Sequence, residues 1–251
     1  MKIEISSRAN VRLKELLAKK EKLFLFEGEK LVMDILSRDL VVNQLIYSAA
    51  MEKRLPKISA AVDEQWRVSR PVLKKISDLK DVPEIMAILG IPLSELDFTD
   101  RKIVFGFDSL QDPANLGAVF RCAAAFGISA LALAGASVRP NNPKVVRAAQ
   151  TALVDIPFQV FPDLEALTAE AQVQGAQIYV TGSHAAGKTM AIANMEFPCL
   201  LLFGNEGRGL PAPILQRFPL IRLDQGQNIE SLNVAVSACI LMHEVKRVHG
   251  L

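Results

Sequence analysis

The sequence predicts an α/β protein in two parts, a mostly parallel sheet covered on both faces and, before it, a smaller α/β domain. Three observations predict this class. After residue 100, short continuous apolar runs alternate with helical segments, the pattern of strands buried on both faces. Half of the 251 residues are hydrophobic, enough for a sizeable core. Between them, Gly90-Ile-Pro-Leu-Ser-Glu-Leu-Asp-Phe-Thr-Asp100 loses periodicity and gains turn residues, marking a linker that divides 1–96 from 97–251.

Taken in order, the first part reads as a helix from Ser7 to Lys19, a strand at Leu23 to Phe26, a helix at Glu29 to Ser37 and a strand at Val42 to Tyr47. Val62 to Val68 follows as a strand, Arg70-Pro71 opens a helix to Ile76, and Glu84 to Leu89 closes the domain. The second part has strands at Ile103 to Phe107, Ala130 to Ala134, Phe158 to Phe161, Gln177 to Thr181, Leu200 to Phe203 and Leu220 to Leu223. Helices fit between most of them. Asp112-Pro113 is a cap and first-turn pair for one helix, and a long amphipathic helix runs from Ser231 to Val248. Its stripe Val234, Ala238, Leu241, Met242 and Val245 suits core or dimer packing. Ligands of parallel sheets lie beyond the carboxyl ends of the strands, which puts 108–117, 181–187, 204–209 and 223–231 on one rim.

The chain as a whole excludes several classes. No N-terminal run has the composition of a signal peptide, and no apolar stretch nears the roughly 20 residues of a membrane span, so a cytoplasmic location without membrane attachment is expected. Cys122, Cys199 and Cys239 are odd in number and far apart, which suggests core thiols and neither a disulfide frame nor a zinc site. Residues 1–96 carry 17 Lys and Arg against 14 Asp and Glu, and 97–251 carry 12 against 13. The excess sits in the first 24 residues, where Arg8, Arg12 and Lys14 make a candidate phosphate-binding surface; a solvated helix face is the equal alternative.

Three segments carry chemistry: Asn115-Leu-Gly-Ala-Val-Phe-Arg121, Phe203-Gly-Asn-Glu-Gly-Arg-Gly-Leu210 and Glu230-Ser-Leu-Asn-Val-Ala-Val236. Each sets glycine or polar residues where an apolar framework would otherwise continue. Glycines at 204, 207 and 209 let backbone approach a ligand closely around Glu206, and Ser231 and Asn233 lie in a first helical turn with outward-facing groups. A fourth segment, Gly182-Ser-His-Ala-Ala-Gly187-Lys188-Thr189, matches the phosphate-loop pattern letter for letter. Its context fails. Such a loop must open a substantial helix, whereas Met190 to Phe197 allows only a short one before Pro198.

With these segments on one rim, the chain resembles the SpoU-type RNA 2′-O-ribose methyltransferases of the SPOUT superfamily. The resemblance covers the second part through Asn-x-Gly-Ala-x-x-Arg-x-Ala-x-x-Phe-Gly at 115–127, Gly-x-Glu-Gly-x-Gly at 204–209 and Ser-Leu-Asn-Val at 231–234. More loosely, Phe26-Glu-Gly-Glu-Lys-Leu-Val32 is similar to the family's RNA substrate-binding domain, a small α/β fold of ribosomal-protein type. The resemblance implies a SPOUT α/β fold with a C-terminal trefoil knot, a homodimer, and S-adenosylmethionine held by backbone groups of the knot loops at Thr181, Gly182, Gly204, Ile221, Leu223 and Leu232. It carries over Asn115, Arg121, Glu206, Ser231 and Asn233 as functional side chains, with no metal. Two departures are visible: Ile221-Arg222-Leu223 stands where the family has Ile-Pro-Met, and the loop 224–229 is about two residues longer than the common form.

The implied reaction removes one proton from a weakly acidic ribose hydroxyl and aligns it for in-line displacement. No histidine is well placed for this, since His184 lies in the false phosphate loop and His243 and His249 come late in the final helix. Arg121, as a permanently charged guanidinium, is expected to bind the phosphate beside the target ribose and stabilise a developing alkoxide. Glu206 would orient Arg121 or a ribose hydroxyl. Arg139, Lys144 and Arg147 are expected to contact RNA, a basic helix face being the alternative. Large-subunit ribosomal RNA is the expected substrate; transfer RNA, or a non-catalytic RNA-binding role on the same fold, are the alternatives.

Overall fold

The computed structural model describes residues 1–55, 61–91, 95–99, 102–182, 189–223 and 231–250. The chain forms two compact units, one of Met1–Pro92 with Pro140–Thr151 and one of Leu93–Arg139 with Ala152–Leu251. The segment Pro140–Thr151, expected with the second part, therefore clusters with the first.

In the first unit, β1 (Lys2–Ile5), β2 (Phe24–Glu27), β3 (Val41–Tyr47), β4 (Ala61–Val68) and β5 (Ile85–Leu89) form a mixed sheet in the order β1-β4-β3-β5-β2. β1, β4 and β3 run parallel, and β5 is antiparallel to both β3 and β2. Strand β1 was not expected: four residues with one buried side chain are too short for alternation to be read. The helices are α1 (Val11–Lys19), α2 (Glu29–Leu36), α3 (Ala49–Glu52) and α4 (Arg70–Ile76). Helix α1 starts four residues later than expected because Asn10 is its cap, its side chain accepting from the backbone N–H of Arg12 and Leu13. Leu13 and Leu16 of α1 and Val72, Leu73 and Ile76 of α4 pack with Trp66 in one core cluster.

In the second unit, seven strands run parallel in the order β10-β12-β9-β11-β6-β7-β8. They are β6 (Ile103–Asp108), β7 (Ala130–Ala134), β8 (Phe158–Phe161), β9 (Gln177–Thr181), β10 (Thr189–Met190), β11 (Cys199–Phe203) and β12 (Leu220–Ile221). Helices α5 (Pro113–Phe126), α7 (Ala152–Asp155), α8 (Leu164–Val173), α9 (Ala212–Arg217) and α10 (Val234–His249) complete it, while α6 (Pro143–Ala149) belongs to the first unit. The central strands are buried along their whole length, as continuous apolar runs require. At their centre Gly106 is enforced by packing, because a Cβ there would meet Leu202 Cδ2 at 2.7 Å.

Several elements depart from their expected bounds. The last strand stops at Ile221, not Leu223. The stretch Met190 to Phe197 holds a short 3-10 turn, Ile192–Asn194, in place of a helix, and Thr189–Met190 is a strand. So no helix opens directly after the phosphate-loop pattern, whose residues 183–188 lie outside the described residues. The final helix begins at Val234, capped by Asn233. Its apolar stripe Val234, Ala238, Leu241, Met242 and Val245 is buried within the chain, leaving Val236 and Ile240 as its exposed apolar residues near the start.

Candidate active site

The site grows from the carboxyl end of β11. At Gly204 the chain turns back on itself: Asn205 and Gly209 form an isolated antiparallel bridge, and the Gly209 N–H donates to the Asn205 carbonyl at 2.9 Å. A Cβ on Gly204 would lie 2.1 Å from Gly209 C and 2.2 Å from Leu210 N, so only glycine closes this turn. Inside it, Asn205 Oδ1 accepts from the Gly207 N–H at 2.9 Å, and Asn205 Nδ2 donates to the Ser109 carbonyl at 2.9 Å. That second bond ties the turn to the loop leaving β6.

The loop from β6 opens α5, with Asp112 as its cap accepting from Ala114 N–H and Pro113 in the first turn. Asn115 therefore sits in the first turn of a helix, half-buried, and its amide serves other side chains. Its Nδ2 donates to Glu206 Oε1 at 3.1 Å, and its Oδ1 accepts from Asn233 Nδ2 at 3.0 Å. Asn233 in turn uses Oδ1 to cap α10, accepting from Ala235 N–H at 2.9 Å and Val236 N–H at 3.2 Å. The three sequence segments thus meet in one polar chain, Glu206–Asn115–Asn233. Ser231, with which the helix was expected to open, precedes it; Asn233 caps α10 and its amide can cap and donate at once.

Beside this chain lies a cleft of about 520 Å³, within the ordinary range for small-molecule sites. Thr181, Gly182, Gly204, Ile221, Leu223 and Leu232 all line it, as do Glu206, Ser231 and Asn233. Leu210, Leu215 and Leu241 supply apolar wall. Thr181 spends its hydroxyl on the Leu202 carbonyl at 2.9 Å, which leaves backbone groups at the strand ends as the polar lining there. Such a wall of backbone and aliphatic groups fits a nucleoside with a short polar chain. Among the described residues no group of His, Cys, Asp and Glu could hold a metal ion.

Residues 102–243 match the model of the SpoU rRNA Methylase family, and residues 12–87 match an MRM3-like substrate binding domain. The chain belongs to the SpoU rRNA methylase family. It is 30% identical to the Bacillus subtilis 23S rRNA (guanosine(2553)-2′-O)-methyltransferase RlmP, over 97% of this chain and 99% of the relative. A Streptomyces viridochromogenes 23S rRNA (uridine(2479)-2′-O)-methyltransferase is 26% identical, over 88% of this chain and 83% of the relative. Among solved structures, the AdoMet-bound rRNA methyltransferase of Sinorhizobium meliloti superposes with a TM-score of 0.79, at 26% identity, over 99% of both chains. The fold is the SPOUT α/β fold, and the chain is an S-adenosylmethionine-dependent RNA 2′-O-ribose methyltransferase.

Within this SpoU methylase the other expected residues are less concentrated. Arg121 is exposed on α5 and is not among the residues lining the cleft. Arg8, Arg12, Lys14, Arg139 and Lys144 are exposed, but Arg12 is paired with Glu64 at 3.0 Å and Arg8 donates to the Pro71 carbonyl at 3.3 Å. Arg147 has an acidic neighbour. Its guanidinium points to the buried Glu27, with Nη1 3.9 Å from Oε2 and without a hydrogen-bond partner. Burial pushes the Glu27 carboxyl above its usual range, against the opposing hydrogen bond from Ser77. Asn205 and Arg208, both on the cleft, were missed. The pattern of glycines flagged their turn, but nothing in a single sequence says which polar residue between glycines braces it. The longer loop 224–229 lies outside the described residues. No described helix is long and apolar enough to cross a membrane.

Proposed function

We propose that this enzyme methylates the 2′-hydroxyl of one ribose in large-subunit ribosomal RNA, with S-adenosylmethionine held in the cleft at the ends of β9, β11 and β12. The observation that carries the reading is the Glu206–Asn115–Asn233 chain standing at the rim of that cleft. Backbone groups of Thr181, Gly182, Gly204, Ile221, Leu223 and Leu232 would hold the cofactor, whose sulfonium supplies an electrophilic methyl group. A site built on backbone tolerates Arg222 in place of the family's proline. The ribosomal RNA named for the B. subtilis and S. viridochromogenes relatives supports the substrate.

The chain's own groups then have separate tasks. Asn115 and Asn233, each held by two partners, fix Glu206 and the start of α10, so the nucleophile is met by preorganised dipoles. Glu206 orients a ribose hydroxyl or Arg121, and Ser231 offers a further hydroxyl at the cleft. Arg121 binds the phosphate next to the target ribose and lowers the cost of the alkoxide. Because a guanidinium keeps its charge, it acts as an electrostatic partner and not as a base.

Residues 1–96 are read as the RNA substrate-binding domain and 97–251 as the methyltransferase domain with its C-terminal knot, whose turn at 224–230 lies outside the described residues. Arg8, Lys14, Arg139, Lys144 and Arg208 are assigned to phosphate contacts, with Arg12 and Arg147 contributing once released from their acidic partners. A homodimer is supported by Val236 and Ile240, 48% and 39% exposed one turn apart on α10. The location is read as cytoplasmic and the reaction as metal-free.

The test is transfer of labelled methyl from S-adenosylmethionine to total RNA from a strain lacking this protein, with the modified ribose mapped. Label at one ribosomal position, lost with Asn233→Ala, is expected. Label on transfer RNA would move the substrate, and no transfer with no cofactor binding would leave a non-catalytic RNA-binding protein.

A further inference from the structure

Helices α5 and α10 lie side by side and parallel, and three contacts mark their seam. Asn115 meets Asn233 at 3.0 Å, Cys122 meets Cys239 with sulfurs 2.7 Å apart, and the Phe126 and His243 rings meet edge to face with centroids 5.5 Å apart. The partners are 118, 117 and 117 positions apart, so the register holds to within one residue down the seam. The two cysteines, expected as isolated core thiols, are both free and only half-buried, whereas Cys199 is fully buried with its thiol pushed up to about 12 by burial.

We propose that Cys122 and Cys239 form a covalent modification site, at which a peroxide closes an intrachain disulfide that locks α5 to α10 and slows methyl transfer. The sulfurs stand about 0.7 Å beyond the bonded separation of ~2.04 Å, a gap that side-chain rotation together with a helix shift of tenths of an ångström can close. Burial and the neighbouring sulfur push the Cys122 thiol up to about 12, so it is slow to ionise. The Cys239 sulfur displaces water from hydrogen peroxide and becomes a sulfenic acid. Cys122 then attacks that sulfur, giving its proton to the leaving hydroxide, which departs as a second water. Peroxide is reduced by two electrons, and the two thiols are oxidised to one disulfide.

The effect on the site follows from position. Cys122 directly follows Arg121, and Cys239 lies six residues into the helix that Asn233 caps. Drawing the helices together at this point shifts the Arg121 backbone by tenths of an ångström, where an error of 1 Å costs about a hundredfold in rate. A fall of about tenfold in kcat is expected. This effect on rate rests on the reading of Arg121 given above.

The experiment treats the full-length reduced protein with hydrogen peroxide and follows intact mass, peptide linkage and methyl transfer, with Cys122→Ser and Cys239→Ser as separate variants. The expected result is a loss of two hydrogens, a Cys122–Cys239 peptide, a chain that stays single on a non-reducing gel, and a lower rate restored by dithiothreitol. Neither variant should show the reversible fall. Sulfinic acid without the linked peptide, a cross-linked dimer, or a linked chain at full rate would each overturn the proposal. Reduced protein that transfers no methyl, yet still forms the linked peptide, would instead strike the assignment of the substrate.

Discussion

Two strand ends in this molecule carry the same sequence elements and use them in opposite ways. Strand β2 runs into Glu27-Gly28 and helix α2, while β11 runs into Gly204 and the Glu206-Gly207 turn. Glu27 is buried, accepts from Ser77, and has as its cation a guanidinium too distant for a hydrogen bond. Its carboxyl sits above its usual range because burial penalises the charge. Glu206 is exposed on a cleft and held at 3.1 Å by an amide that is itself held. A Glu-Gly pair at a strand end thus gains a functional setting from long-range amide partners, not from the pair itself.

The largest effects are expected at the glycines. Gly204→Ala would drive a Cβ to 2.1 Å from backbone, so we expect calorimetric binding of S-adenosylmethionine to vanish. Gly28→Ala meets nothing within 4 Å and suffers only from its φ of +106°, a cost of about 1–3 kcal/mol visible as a lower Tm with cofactor binding intact. Equal effects at both would dissolve the distinction.

Next in size is Asn233→Asp. The carboxylate still caps α10, so Tm should hold within a few degrees, but it cannot donate to Asn115 Oδ1, and single-turnover methyl transfer should fall about a hundredfold. Unchanged transfer would remove the polar chain from the mechanism.

A third pair sharpens the contrast between the acids. Glu206→Gln should lower the rate and leave Tm alone, while Glu27→Gln should leave the rate alone and raise Tm at neutral pH, with a pH signature. Because the folded carboxyl titrates above its unfolded value, the stability tied to protonated Glu27 is full below about pH 4.5 and is lost as pH rises through the folded value. Tm measured from pH 4 to 8 should therefore decline in the wild type relative to Glu27→Gln. Parallel curves would show that Glu27 is better paired than its geometry indicates.

The smallest expected effect separates two basic residues on α6. Lys144→Ala should weaken ribosomal RNA binding about threefold and reduce the salt slope by about one. Arg147→Ala, with its guanidinium turned to Glu27, should shift Tm as well and lower that slope by less than Lys144→Ala does.

The sequence made the second unit legible because buried apolar runs announce themselves: β7, buried throughout, and β8 and β9, buried over most of their apolar residues, have the bounds that these runs suggest. Edge elements were less readable. Strand β1, with one buried residue, and the two-residue β10 carry too little pattern to separate from loop. At α10 two cap-type residues, Ser231 and Asn233, compete in the sequence, and only the amide demanded by Asn115 decides between them. The site was legible as three motifs, yet the bonds joining them were not. Nor was the thiol pair, since residues 117 apart become neighbours only through the parallel seam of α5 and α10.

That distance along the chain has a kinetic meaning. The links of the polar chain join residues 91 and 118 positions apart, and each waits on a parallel sheet whose pairing is itself non-local. Helices and local turns can form early in refolding, but the donor and acceptor atoms of this cluster meet only when the most distant pieces have docked. Enzymatic competence should be the last property a refolding chain regains, trailing its far-ultraviolet circular dichroism by a measurable lag.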